Sequence, residues 1–477
     1  MNKKMVIYTT GQIVGVEGLC MLLSAGVSLV YREKSGFWLL VSAAIAGAIF
    51  LLSLLFKPKD QVIFAKEGFV TVALSWVLLS AVGALPFFLS REIPNYIDCF
   101  FETSSGLSTT GASIVDHVER LSHGILFWRS FTHWIGGMGV LVLVLAIAPS
   151  VSGRTIHMAR AEMPGPVVGK LTPKIRDTAK ILYIIYIVLT FLLAVMLMFG
   201  GMDVFESVVH AFGTAGTGGF GIKSDSVASY SPYIQWVLTI FMLVFSVNFN
   251  LYYMILIRRA ASAFKSEEFW TMLALAAVSA AAVGFSIRPL YHTTGETVRH
   301  SLFQVASILS TTGFTTANIA AWPDLAKSVL LLLMFVGGCA GSTAGGMKMS
   351  RVMLLIKLIH HRVRHMLHPR SVKAVKFEGK TVDSDTLDGV ASYLAVYVLC
   401  IAILFLILSF EPFGIEDNLS AAVSTFNNVG PAYGVASSSY SAYSWVSKLA
   451  MSFAMIFGRL EIYPMLIMFS PSTWRNK

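Results

Sequence analysis

Apolar stretches of about 20 residues, the length a helix needs to cross roughly 30 Å of hydrocarbon, recur from one end of the chain to the other. They predict ten membrane-spanning helices, near 6–30, 37–56, 69–89, 124–148, 181–199, 233–257, 269–285, 329–359, 389–409 and 443–469, with the eighth interrupted. The first follows Lys3 and Lys4 and resembles a signal peptide at its start. Its apolar run is longer than a signal h-region and a second span follows at once, so it is expected to be retained.

Between the second and last spans, the connections on one side share a feature: a short, moderately apolar stretch ending in a glycine-bearing turn. The stretches are CFFETSSGLSTTGAS, ESVVHAFGTAGTGGFG, SLFQVASILSTTGFTT and LSAAVSTFNNVGPAYG. Aligned on their glycines they place Gly111, Gly218, Gly313 and Gly430 at equivalent positions, at an irregular period of roughly one hundred residues that is far too long for a solenoid. Each copy reads as helix, half-helix, glycine turn, helix. Polar or acidic residues stand near the start of each half-helix: Asn95 and Asp98, Asp203 and Glu206, Glu296 and Thr297, Asp417 and Asn418. These can cap free N–H groups and favour the positive helix end. A half-helix that starts outside points its carbonyl end at the membrane centre, where a cation is stabilised.

Non-helical backbone at membrane depth is tolerated only where protein buries it or a watery cavity borders it. Glycine takes φ > 0 without steric cost, so a pair such as Thr110-Gly111 can turn its carbonyls inward. Four such turns around one axis make a ring of oxygens that replaces an ion's hydration shell. The candidate ion-contacting residues are Thr109, Thr110 and Gly111; Thr217 and Gly218; Thr311, Thr312 and Gly313; and Asn428, Val429 and Gly430. One copy alone would read as an ordinary turn, since Gly, Ser and Thr are common there. Four copies in register on one side do not.

Composition agrees with a membrane protein. Hydrophobic residues make up 55% of the 477 and charged residues 13%, against roughly 25% in a soluble domain. The net charge of +10 matters through its placement, because Lys and Arg collect on alternate loops. Lys57, Lys59 and Lys66 lie in one, Arg154, Arg160, Lys170, Lys174 and Arg176 in the next, then Arg258, Arg259 and Lys265, then the basic stretch 351–380, and finally Arg475 and Lys477. By the positive-inside rule these loops and both termini face the cytoplasm. Topology accounts for the basic residues, so no nucleic-acid partner is expected. Cys20, Cys99, Cys339 and Cys400 lack the spacing of a disulfide framework or a zinc site.

The eighth span contains GGCAGSTAGGMK. Glycine in a helix interior costs about 1 kcal/mol relative to alanine, so Gly337, Gly338, Gly341, Gly345 and Gly346 disfavour a continuous helix. Close packing through small residues would explain glycines spaced four apart but not the polar GSTAGG core. The chain is expected to open into a mid-membrane loop that obstructs the pathway beneath the third turn. Lys348 and Arg459 are charges inside apolar segments, which cost at least about 2.5 to 3.5 kcal/mol on insertion and so tend to face the bundle interior. Snorkelling to an interface is the other reading of Arg459. Pairing of Arg459 with Glu461 is disfavoured because residues two apart on a helix face different ways. Arg129 is expected to be structural and to snorkel to the outer headgroups. Glu17 is left open between a dimer or packing contact and a functional acid.

FETSSGLSTTGAS, FWRSFTHWIGGMG, GTGGFG, STTGFTT, GGCAGSTAGGMK, NNVGPAYG and GRLE together resemble TrkH/TrkG-type potassium uptake subunits of the Trk/Ktr/HKT superfamily, over essentially the whole chain. The resemblance implies an all-α polytopic fold, with four helix/pore-loop/helix units around one pore. Residues 1–66 would form a two-helix N-terminal unit, and 67–152, 153–265, 266–380 and 381–477 the repeats. It implies a homodimer in the bacterial inner membrane and a cytosolic TrkA-type regulatory ring that carries the nucleotide, ATP/ADP or NAD. Potassium would bind at the turn residues, and this chain would hold no cofactor of its own. The segment 337–348 resembles the family's intramembrane gating loop, and Arg459 matches an arginine near that loop, expected to repel cations and bond loop carbonyls. Departures are Val429 where the other turns have Thr110, Thr217 and Thr312; Gly216, followed closely by Lys223 near the outer mouth; and Pro431-Ala432. Glycine in all four turns goes with potassium in this superfamily.

A proton- or sodium-coupled symporter is the main alternative. Coupling usually leaves acids or histidines in the spans, and here they are few: Glu17, His133 and Glu461. A gated conduit driven by membrane potential, worth about 2.3 kcal/mol per charge per 100 mV, is preferred. An enzyme is not expected. Gly216-x-Gly218-x-x-Gly221 lacks a βαβ context, GSTAGGMK lacks GK followed by Ser or Thr, and Ser342 has no base at useful spacing. The stretch 351–380, with His360, His361, His365 and His368, is the expected docking surface for the regulatory partner.

Overall fold

The computed structural model describes residues 2–58, 64–139, 175–370 and 374–475. Lys59, Arg154, Arg160, Lys170, Lys174, Lys373, Lys477, residues 140–148 of the expected span 124–148 and the side chain of Arg176 lie outside the described residues.

The helices are α1 Lys3–Val30, α2 Ser35–Leu54, α3 Ala65–Gly83, α4 Tyr96–Leu107, α5 His123–Gly137, α6 Ile175–Phe199, α7 Val204–Ala215, α8 Pro232–Ser246, α9 Phe249–Leu256 and α10 Glu267–Ile287. They continue with α11 Thr294–Leu309, α12 Asp324–Val336, α13 Met349–Leu367, α14 Ser384–Leu408, α15 Ile415–Phe426, α16 Trp445–Arg459 and α17 Tyr463–Phe469. A small hairpin, β1 Lys376–Phe377 and β2 Lys380–Thr381, precedes α14. Among the described residues α1, α2, α6, α10, α14, and α3 with its short continuation are each long and apolar enough to span a membrane.

Small residues set how closely the first two helices approach, because a methyl added at Gly18 would sit 2.9 Å from the Ala46 side chain. α1 also runs along α3. Asn2 N–H donates to Glu67 Oε1 at 3.2 Å, and Ser75 Oγ donates to Thr10 Oγ1 at 3.4 Å. Glu17 is buried on this seam; a methyl at Gly83 would lie 2.6 Å from its Oε1, and neither of its carboxyl oxygens has a hydrogen-bond partner among the described residues. Glu17 thus lies inside the chain rather than on an outer face of it.

The four short helices are α4, α7, α11 and α15. Asn95, Asp203 and Thr293 cap the first three, accepting from Ile97, Glu206 and Glu296 N–H, and Glu296 completes a capping box on α11. The fourth starts after Gly414 with no side-chain cap, and Asp417 and Asn418 fall inside the helix instead. Each short helix packs on the second helix of the preceding repeat: α7 on α5, α11 on α8, α15 on α12 and α4 on α16, which closes a circle.

Among the described residues, three of the second helices are interrupted. The eighth expected span breaks as foreseen, with α12 ending at Val336 and α13 starting at Met349. Two more breaks correct the expectation of continuous spans. α8 and α9 bend by 90°, because Val247 is extended and Asn248 caps the new helix by accepting from Asn250 N–H at 2.9 Å. The last span breaks between Arg459 and Tyr463, where Glu461 and Ile462 adopt positive φ and Pro464 follows in the first turn of α17.

Candidate functional site

The turn after each short helix has one backbone shape. Its first residue is left-handed although it carries a side chain: Thr109 (φ 57), Thr217 (φ 55), Thr311 (φ 55) and Asn428 (φ 56). The next residue donates its N–H five residues back into the helix: Thr110 to Ser105 O at 2.9 Å, Gly218 to Gly213 O at 2.8 Å, Thr312 to Ser307 O at 2.8 Å and Val429 to Ser424 O at 3.0 Å. This is the six-to-one bond of a Schellman turn. A glycine at positive φ follows: Gly111, Gly219, Gly313 and Gly430.

The second turn therefore shifts by one from the alignment on Gly218. Gly219 is the equivalent of Gly111, Gly313 and Gly430, while Gly218 stands with Thr110, Thr312 and Val429. The GTGGFG stretch offers adjacent glycines, and sequence spacing alone cannot choose between them. Two of the four turns, with Gly218 and Val429, thus depart from the threonine that the other two carry at the carbonyl position, and Val429 is no more an exception than Gly218.

Close approach makes the ring explicit. A methyl built on Gly111 would collide with Gly218 O, on Gly219 with Thr312 O, on Gly313 with Val429 O and on Gly430 with Thr110 O. Each turn is seated on the next around a common axis. Thr109, Thr110, Thr217, Thr311, Thr312, Asn428 and Val429 are all buried. Left-handed β-branched residues cost about 1–2 kcal/mol each, and the hydrogen bonds and tight packing around the turns hold them there.

Behind the ring lies a buried ion pair. Arg129 Nε meets Glu102 Oε1 at 2.5 Å, Nη1 donates to Gly221 O at 3.0 Å, and the guanidinium lies 3.4 Å from the Phe220 ring centroid. Glu102 also accepts from Ser113 Oγ and, at 2.9 Å, from Ile114 N–H. Arg129 is 3% exposed, so it does not snorkel; it ties the first turn to the second. The rule that charges inside apolar segments face the bundle interior, applied to Lys348, would have found Glu102 as well. Tyr440 donates its hydroxyl to Gly430 O at 2.8 Å and its N–H to Ser113 O, linking the fourth turn to the first. Above the ring a cavity of about 490 Å³ is lined by the four positive-φ glycines with Asp116, Lys223 and Asp225. Lys223 borders this mouth, its ammonium 3.9 Å from the Tyr230 ring centroid.

Below the ring, residues 337–348 form the expected loop. Gly337, Gly341, Gly346 and Lys348 take positive φ. The loop is pressed against the turns: Gly345 N–H donates to Thr311 Oγ1 at 2.6 Å and Gly346 N–H to Asn427 O at 3.0 Å. A methyl at Gly345 would sit 2.6 Å from Asn427 O, so only glycine fits. Gly338, at the loop's start, packs on Ser246 and accepts from Met349 N–H. Both helix breaks serve the loop. Cys339 N–H donates to Ser246 O at 2.9 Å and Phe249 N–H to Gly341 O at 3.1 Å, so the bend between α8 and α9 satisfies its backbone there. Arg459 Nη1 donates to Thr343 O at 2.9 Å, and Nη2 to Gly136 O and Gly137 O at 2.6 Å. Arg459 therefore bonds one loop carbonyl and two at the end of α5 rather than reaching for an interface. Lys348, buried, donates to Ala344 O within its own loop, and Glu461 pairs with Arg351.

The model of the TrkH family, described as cation transport protein, matches residues 40–283 and 286–476. The Trk system potassium uptake protein TrkH of Escherichia coli (strain K12) is 35% identical over 483 residues, covering 97% of this chain and 99% of that protein. The Trk system potassium uptake protein TrkG of the same strain is 32% identical, covering 99% of each. The crystal structure of the potassium transporter TrkH from Vibrio parahaemolyticus superposes with a TM-score of 0.88 at 30% identity, covering 100% of both chains. With the motifs, the helical architecture and these matches in agreement over the whole length, the chain is a polytopic membrane protein that belongs to the TrkH family of cation transport proteins.

Proposed function

We propose that this chain is the membrane subunit of a potassium uptake system in a bacterial inner membrane, with both termini cytoplasmic. The observation that carries the reading is the circular seating of the four positive-φ glycines on the carbonyls of Thr110, Gly218, Thr312 and Val429. Those oxygens are fixed by the helix-end hydrogen bonds and take the place of the water an arriving ion sheds. The helix carbonyl ends that flank them add partial negative charge. The loop 337–348, backed by the charges of Lys348 and Arg459, is the barrier beneath the filter. Repeats at 67–152, 153–265, 266–380 and 381–477, a homodimer, and control by a cytosolic nucleotide-binding ring of the TrkA type that docks on 351–380 complete the reading. No catalytic residue and no cofactor are assigned to this chain.

The test is uptake into liposomes under potassium and sodium gradients, comparing the native chain with Gly313→Ser. The native chain should prefer potassium, and the variant should lose that preference. Equal rates for both ions in both proteins end the filter assignment. A coupled symporter using the same filter draws support from Glu17, a buried acid beside the first short helix with no hydrogen-bond partner among the described residues. Flux that reverses with voltage alone, at any proton or sodium gradient, removes that reading.

A further inference from the structure

One buried acid outside the ring touches the obstructing loop. Glu268, in the first turn of α10, is 5% exposed, and its Oε1 accepts the N–H of Ala340 at 2.8 Å. A buried amide must find an acceptor, and this one comes from a side chain. Cys339 and Gly341, on either side, are held by backbone groups of the bend between α8 and α9. The first half of the loop is thus pinned from two directions, and α10 supplies one of them.

The start of α10 is itself held from the cytoplasmic side. Glu378, between β1 and β2, accepts from Ser266 Oγ at 2.9 Å and from the Glu268 N–H at 3.0 Å, so it caps the helix at the residue that holds the loop. Lys357, on the helix that leaves the loop, reaches Glu267 Oε1 at 2.5 Å and Lys376 O at 3.0 Å. Loop, α13, hairpin and α10 form a closed circuit of contacts.

We infer that Glu268 is a positioning residue of the barrier, holding Ala340 through its carboxyl oxygen, and that the hairpin 376–381 sets its position through Glu378. This rests on the reading of 337–348 as the gate. Drawing the hairpin away uncaps α10 at Glu268 and lets Glu268 and Ala340 part; pressing it home restores the restraint.

The full chain, reconstituted without a partner, is assayed for potassium uptake. Glu268→Ala is expected to raise partner-free uptake roughly five- to tenfold, the scale for losing one buried acceptor. Glu268→Gln, whose amide oxygen can accept from the same N–H, is expected to restore most of the restraint. Glu378→Ala is expected to raise uptake by a smaller factor. Parent-level uptake in Glu268→Ala, or a Gln variant as leaky as the Ala variant, overturns the inference. If Glu268→Ala does not yield folded protein, Glu378→Ala decides, and a parent-level rate there overturns it. Deleting 340–344 separates the two levels. If the deletion raises uptake and Glu268→Ala does not, only the role of Glu268 falls; if the deletion also leaves uptake unchanged, the gate reading falls with it.

Discussion

The turns above and the breaks below handle repetition differently. After each short helix the chain makes one backbone shape from three different tripeptides, Thr109-Thr110-Gly111 with its identical copy Thr311-Thr312-Gly313, Thr217-Gly218-Gly219, and Asn428-Val429-Gly430. Each described interruption of a second helix is its own construction: a two-residue bend at Val247 and Asn248, a long loop at 337–348, and a three-residue kink at Leu460 to Ile462. Coordinating an ion from four sides needs equal oxygens and therefore equal backbones. Blocking a path, the role proposed for the loop 337–348, needs one obstacle, and the other two breaks supply its hydrogen-bond partners.

The sharpest way to break this comparison is Gly219→Ala. The added methyl meets Thr312 O at a positive φ, and potassium uptake in liposomes should fall by at least about 100-fold, as should Gly111→Ala; a displacement worth 2.7 kcal/mol suffices. Near-normal uptake in either variant would show that the turns are not equivalent. Next comes Glu102→Ala, which leaves Arg129 buried without its partner. Stability should drop by about 3–5 kcal/mol, read from unfolding in detergent, and an unchanged melting curve would mean the ion pair does not support the ring.

Effects below the ring should be smaller and of opposite sign. Arg459→Ala removes three hydrogen bonds to loop and helix-end carbonyls, and basal uptake should rise about tenfold, as a bias of 1.4 kcal/mol would give. Thr311→Val keeps the turn's shape but removes the acceptor for Gly345 N–H, so basal uptake should rise about fivefold with potassium selectivity retained. If selectivity were lost as well, the division between uniform turns and specialised breaks would fail.

The smallest effect lies at the mouth. Hydrogen bonds from Ser224 hold the Glu119 carboxyl below its usual range. A lowered folded-state value means the contact stabilises fully above the unfolded value of about 4.3 and is lost as pH falls through the lower folded one. The stability difference between the native chain and Glu119→Gln should therefore be flat from pH 8 to about 5 and shrink at more acid pH; a difference that grew on acidification would refute the assignment.

Much of this was legible in the chain. Apolar length marked the helices, and the recurrence of glycine after short apolar stretches marked the turns. The GSTAGG core marked the loop, because glycine's helix penalty adds up along a segment. Three things were hidden for physical reasons. The register of the second turn depends on which of two adjacent glycines takes positive φ, which three-dimensional seating decides. The break at Asn248 carries neither glycine nor proline; it forms because Gly341, almost a hundred residues later, supplies an acceptor for Phe249. Arg129 looked like a surface anchor because Glu102, its partner, sits 27 residues away on a different helix.

The hydrogen bond from Gly345 to Thr311 ties the loop 337–348 to the third turn itself. The loop cannot withdraw without stripping the Thr311 hydroxyl of its donor directly beneath the ring of carbonyls. If the turns are the filter and the loop the gate, as proposed above, this contact couples the two, so that a change in either is felt by the other.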